Sequence, residues 1–167
     1  MFDVCCLGIL VADITAFPID RLPGEGKLLF ADNISLGLGG CAANAAIDLQ
    51  KIGLKTAIIG KVGRDAFGSF ICKTLNDYEV DTGGVCLSDE TATSSALVLV
   101  NEKGERSFIH FSGTNGDFSE EDVDFSIIEN SKILFVAGSL LMGKMDGAPT
   151  AQLLKKAREK GIYTVLD

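Results

Sequence analysis

Residues 36–44, Leu36-Gly37-Leu38-Gly39-Gly40-Cys41-Ala42-Ala43-Asn44, run closely spaced glycines into a block of small side chains with one asparagine among alanines. A glycine pair accepts positive φ and lets a ligand approach backbone that any Cβ would block. From Cys41 to Ile52 there is neither glycine nor proline, which predicts a helix. Its first turn offers free N–H groups and the positive end of the helix dipole. Asn44 falls in that turn and brings both a donor and an acceptor. The stretch therefore predicts the floor of a site for a small polar or anionic molecule.

Working outward, the residues before it read as strand and connection. Asp3–Gly8 (DVCCLG) is a short apolar run ending in glycine, which suits a buried strand. Asp13 is the first acid after it. Loops at the carboxyl ends of strands carry ligands in open α/β sheets, so Asp13 is a candidate for accepting hydrogen bonds from sugar hydroxyls. A solvated turn aspartate is the alternative at that position. Pro18, Pro23 and Gly24 mark a connection, and Lys27–Leu36 resumes as extended chain.

After the helix, Gly53 gives a stop and Thr56–Val62 (TAIIGKV) a further buried strand. Gly63-Arg64-Asp65 turns into a helix whose Phe67, Phe70, Ile71, Thr74, Leu75 and Tyr78 share one face, with Asp65 as cap. This alternation predicts an α/β fold with a parallel sheet. Thr93–Val100 and Arg106–Phe111 then read as a hairpin around Asn101-Glu102-Lys103-Gly104-Glu105. A hairpin in such a chain lies outside the main sheet, and with residues 26 to 36 it would make a small β-layer over the cleft. Ser119-Glu120-Glu121-Asp122 signals a helix start, Lys132–Ala137 a strand, Pro149–Lys160 a helix, and Ile162–Leu166 a last strand.

Composition narrows the function. The 167 residues, 47% hydrophobic and 23% charged, suit one folded domain. A formal charge of −8 without any basic cluster excludes a nucleic-acid footprint. No apolar run reaches membrane-spanning length, and no basic segment opens the chain as in a signal peptide. Five scattered cysteines with a single histidine argue against zinc and predict a reducing, cytoplasmic setting.

Three readings compete for the glycines. A Walker loop fails, because the Gly-Lys pairs at 26–27, 60–61 and 143–144 are followed by Leu28, Val62 and Met145, not by a magnesium-holding hydroxyl. A dinucleotide fingerprint matches at Gly37-x-Gly39-x-x-Ala42, but the strand ending at Gly63 lacks the acid that would hold a ribose. A tight turn before a close-packed, Ala-rich helix is the purely structural alternative.

Gly39-Gly40-x-Ala42-x-Asn44-x-Ala46, then Gly53 and Gly60-x-x-Gly63-x-Asp65-x-x-Gly68, resembles the first signature of the ribokinase-like (pfkB-type) carbohydrate kinases. Gly8-x-x-x-x-Asp13 and the hairpin after Thr93 resemble that family too, so the likeness runs from Asp3 to Asp167. The resemblance implies a three-layer α/β/α fold with a mostly parallel central sheet and a small β-sheet lid, truncated at the C-terminus. Residues 1–167 would be the N-terminal part of one kinase domain, with lid segments at about 14–36 and 93–112. It further implies that Asp13 holds sugar hydroxyls, that Gly39 and Gly40 pass beneath the sugar and that Asn44 hydrogen-bonds it. His110 would face the sugar from the lid, or serve the lid structurally. Gly63, Asp65 and Gly68 read as turn and cap.

The family's second signature, a Gly-Ala-Gly-Asp segment that holds the transferring phosphate and takes the hydroxyl proton, does not occur up to Asp167. Val11 and Cys41 also stand where ribokinase has polar residues. The expectation is therefore the sugar-binding, lid-bearing portion of a kinase that uses ATP and Mg²⁺, inactive alone, with no catalytic residue and no bound cofactor of its own. A homodimer through the lid or an exposed sheet edge is expected. A non-catalytic polyol-binding module and a dinucleotide-binding oxidoreductase are the alternatives.

Overall fold

The computed structural model describes all 167 residues, Met1–Asp167. In chain order the elements are β1 (Phe2–Gly8), β2 (Val11–Phe17), β3 (Asn33–Gly39), α1 (Cys41–Lys51), β4 (Thr56–Gly63), α2 (Ala66–Asp77), β5 (Asp81–Ser88), β6 (Ser95–Val100) and β7 (Arg106–Phe111). There follow α3 (Gly113–Asp117), a 3₁₀ turn at Glu120–Asp122, α4 (Phe125–Glu129), β8 (Ser131–Ala137), α5 (Ala148–Glu159) and β9 (Tyr163–Leu166).

They form two sheets. The larger has the order β5-β4-β1-β8-β9, and every neighbouring pair is parallel. Its central strand β1 is buried from Val4 onward, as expected of a parallel strand covered on both faces. Alternate residues separate the faces. Val4, Cys6, Ile58 and Val62 pack with Ala42, Ala43, Ala46 and Ile47 of α1 and with Ile71 and Leu75 of α2. Cys5, Leu7, Ile59, Leu134 and Val136 pack with Ile128 of α4 and with Leu153, Leu154 and Ala157 of α5. The fold is a three-layer α/β/α sandwich. None of the five cysteines is paired, and burial pushes the Cys6 thiol up to about 12. No helix is long and apolar enough to cross a membrane.

The smaller sheet has the order β3-β2-β6-β7, with β2 parallel to β6 and both outer strands antiparallel. It leaves the body at the carboxyl ends of β1 and β5, where open α/β sheets keep their ligand sites. It draws on Val11–Phe17 and Asn33–Gly39, so it takes in Asp13, Gly37 and Gly39, which the sequence places in loop and turn. Asp13 lies inside a strand because the break after β1 is only Ile9 and Leu10.

Two further local expectations change. The helix start at Ser119 becomes a single 3₁₀ turn, closed by a reciprocal Ser119–Asp122 capping box. Asp122 is also held by Lys61 at 3.0 Å, and the five-residue α4 starts afresh from an Asp124 cap. Strand β5 and helix α3 lie in segments to which the sequence reading gives no element.

On the α1 side of the body, β8 and β9 are left uncovered. Val4, Ala45, Leu49, Ile52, Ile133, Phe135 and Val165 line an apolar groove of about 480 Å³ there. Tyr163, Val165 and Leu166 of edge strand β9 are exposed.

Candidate functional site

Register decides which lid side chains share a face. Across the ladders Gly37 stands opposite Asp13, Asp13 opposite Ala96, and Ala96 opposite His110. Directly opposed residues project to the same side of a sheet. Asp13 and His110 therefore lie in one cross-strand row, with only glycine and alanine as its other members. Arg106 and Phe108 fall on the same face of β7, four and two positions before His110. The opposite face carries another row, Leu36–Ile14–Leu97–Ile109, of which Leu36, Leu97 and Ile109 are exposed.

The glycines fit beneath Asp13. A Cβ on Gly39 would stand 2.2 Å from Asp13 Oδ2, so the carboxylate occupies the space a side chain would need. Gly40 has φ +97°, and a Cβ there would stand 2.3 Å from the Ile9 carbonyl oxygen. The pair thus lets β3 pass against both the Asp13 carboxylate and the β1–β2 junction before α1 begins. Burial raises the Asp13 carboxyl above its ordinary value, while His110 and Arg106 pull it back. A half-buried acid over bare glycine backbone suits hydroxyl donors, which satisfy a carboxylate without bringing a second charge.

Asn44 lies elsewhere. It is exposed on the first turn of α1, and its backbone N–H donates to the Gly40 carbonyl at 3.0 Å. With Leu38, Ile47, Asp48, Lys51, Thr74 and Tyr78 it lines a groove of about 370 Å³ between α1 and α2. Leu38 projects from β3 on the side opposite Asp13. The structure thus brings Asp13, Gly39 and His110 to one face, sets Gly40 against the β1–β2 junction at its root, and leaves Asn44 at its border with the body.

Buried polar side chains pin the roots of the lid. Asn115, 2% exposed, accepts from Leu10 N–H at 3.1 Å and donates from Nδ2 to the Leu10 carbonyl at 3.0 Å. Its own N–H donates to Ser94 Oγ at 2.9 Å, and Ser94 Oγ also bonds the Ser112 carbonyl. Beside them Thr93 donates from N and Oγ1 to the Asp65 carboxylate at 2.8 and 2.7 Å and accepts from Gly63 N–H at 2.8 Å. Asp65 caps α2 as expected, accepting from Gly68 N–H at 2.8 Å, but it also anchors β6. Its desolvation is outweighed by these hydrogen bonds, so its carboxyl lies below its ordinary value. The strands carrying Asp13 and His110 are thereby fixed to the body and to each other.

The sequence reading gives Asn115 no part and takes Thr93 and Arg106 only as the starts of strands. Asn115 had no signal, since its partner is the backbone of Leu10. Arg106 did have one, because it shares strand parity with His110.

Residues 1–167 match the family described as pfkB family carbohydrate kinase, so the chain belongs to that family. It is 29% identical over 153 residues to "Probable fructokinase-6, chloroplastic" of Arabidopsis thaliana, a match covering 89% of this chain and 40% of that protein. To the ribokinase of Mus musculus it is 27% identical over 168 residues, covering 98% of this chain and 50% of that one. An Arabidopsis thaliana ribokinase solved with ribose and ATP superposes with a TM-score of 0.84 at 27% identity, over 99% of this chain and 53% of that one. The chain spans about half the length of the relatives it matches.

Proposed function

We propose that residues 1–167 supply the sugar-binding and lid-bearing portion of an ATP-dependent carbohydrate kinase, which transfers the γ-phosphate to a sugar hydroxyl with Mg²⁺. The observation that carries the reading is Asp13, half-buried on the lid and seated over Gly39, in a chain that belongs to a carbohydrate kinase family. Asp13 accepts hydrogen bonds from sugar hydroxyls, and the bare backbone of Gly39 and Gly40 lets the sugar lie close. His110 faces the sugar from the same row. Asn44, exposed beside the glycines, turns from the α1–α2 groove to bond it. The lid excludes water, a competing phosphoryl acceptor.

ATP and Mg²⁺ serve the complete enzyme. With no Gly-Ala-Gly-Asp segment up to Asp167, the 167-residue chain supplies no group to hold the transferring phosphate or take the hydroxyl proton. It is therefore inactive alone. Two copies associate through the exposed outer row of the lid or through the free edge of β9. A cytoplasmic setting fits the unpaired cysteines.

The test is calorimetry with ribose and fructose, paired with an assay for ATP turnover. Sugar binding without turnover is the expected result, and turnover by the 167-residue chain would refute the half-kinase reading. Protection from unfolding by NAD(H) and not by sugars would favour an oxidoreductase. Sugar binding with no second signature encoded downstream would favour a polyol-binding module.

A further inference from the structure

The face of the lid that carries Asp13 holds an excess of basic side chains, in a chain whose formal charge is −8. Asp13 is its single acid, while β7 contributes Arg106 and His110. Arg106 enters the sheet opposite Val100, two positions before Phe108 in β7. Its guanidinium lies over the Phe108 ring, 5.9 Å from the centroid, so the side chain bends back along the strand toward His110 and Asp13. No carboxylate of the chain pairs with it; the arginine held in an ion pair is Arg64, by Asp89. The positive end of α1 adds to the same field, with no acid in its first turn to neutralise it.

We infer that Arg106, with His110, selects a sugar bearing an anionic group, a carboxylate or a phosphate, whose hydroxyls Asp13 holds at the other end. This rests on the carbohydrate kinase reading and adds the substrate class to it. A neutral sugar gives an unpaired, forward-leaning guanidinium nothing to bind beyond what a hydroxyl or amide would. An anionic group beside Asp13 would be repelled, whereas at β7 it gains a charge-assisted, bidentate partner. β2 and β7 are two strand spacings apart, about 10 Å between backbones. Arg106 also lies four positions, about 13 Å, along β7 from the Asp13–His110 row, so the diagonal between the two side chains, less their reach, takes a six-carbon polyol lying end to end.

The experiment titrates the 167-residue chain with matched pairs: D-gluconate against D-glucitol, and D-fructose 6-phosphate against D-fructose. Acetate and inorganic phosphate serve as anion controls. At least one anionic member should bind 10-fold or more tightly than its neutral partner. The pair that shows the gap tells carboxylate from phosphate. Arg106→Gln should erase the gap by weakening the anionic member far more than its neutral partner, with the melting temperature unchanged, and Arg106→Lys should restore part of it. Equal or tighter binding of the neutral partners overturns the inference and leaves the kinase reading standing. So does a gap that survives Arg106→Gln, or acetate and phosphate binding as tightly as the sugars. Failure of every sugar, neutral or charged, to bind removes the sugar site and this inference together.

Discussion

The two sheets of this protein are built on opposite terms. In the body, β1 is enclosed between helical layers, and its stability comes from side chains such as Leu7, Ile59 and Leu134 that lose all contact with water. In the lid, the only fully buried apolar residues beyond Ala12 are Val11, Ala96 and Val98, and Ile34, Leu36, Leu97 and Ile109 stand exposed. Apolar burial is therefore too small to hold the lid by itself. Polar side chains at its roots, Asn115, Ser94, Thr93 and Asp65, do that work instead. A sheet carried by a few directional bonds keeps a defined register while its faces stay free for ligand or partner.

That contrast breaks first in the body. Leu134→Ala should lower unfolding free energy by about 2–5 kcal/mol, because a fully buried leucine leaves a cavity between β8 and the helices on that side. Chemical denaturation measures it, and a loss below 1 kcal/mol would mean the body is not the stable element. Asn115→Ala should cost about 1–3 kcal/mol by leaving Leu10 N–H and C=O unpaired. Its signature is local: hydrogen exchange should speed up in β2 and β6 while β1 and β4 stay protected. Uniform acceleration would show that the clamp belongs to the body.

Asp13→Asn should weaken sugar binding by about tenfold, or about 1.4 kcal/mol, with little change in stability. The pH dependence follows from burial, which raises the Asp13 carboxyl above its ordinary value against the pull of His110 and Arg106. On the proposed reading the ionised form accepts the hydroxyls, so affinity should fall on acidification, beginning at a higher pH than an ordinary aspartate would give. Stability moves the other way: the neutral acid is the better tolerated form, and its contribution is lost as pH rises through the raised value. Calorimetry across pH should show the affinity loss in the native chain and not in Asp13→Asn. The smallest effect belongs to the outer face of the lid, where Ile34, two positions before Leu36, is exposed and Ile34→Lys should change stability by no more than about 0.5 kcal/mol. If sedimentation shows a dimer that this substitution dissociates, the outer face is its interface.

Much of this was legible in the sequence, and the exceptions share a cause. Buried parallel strands announce themselves as apolar runs, and β1, β4, β8 and α1 fall within a residue or two of where the sequence puts them. Strand β5 does not, because Gly83-Gly84 reads as a turn. Its ladder comes from β4, and a Cβ on Gly84 would stand 2.7 Å from the Ile58 carbonyl, so the glycine serves close strand packing. Asp13 was legible as a candidate residue but not as a strand residue, since β2 becomes a strand only when β3 and β6 reach it. The Asn115 clamp depends on a partner 105 positions away, and no local pattern encodes such a pairing.

The β2–β6 pair has a consequence for the order of events in folding. These strands lie side by side at the centre of the lid, yet β3, α1, β4, α2 and β5 separate them in the chain. Distant contacts carry a loop-closure cost that must be met before the pairing repays it. On that ground the β1–β4 pairing, Val4 with Thr56, is expected ahead of the lid pairing of Asp13 with Ala96, while the β1–β8 pairing of Val4 with Ile133 is more distant still. Asp13 and His110 share a row only once β2 and β6, remote in the chain, have met.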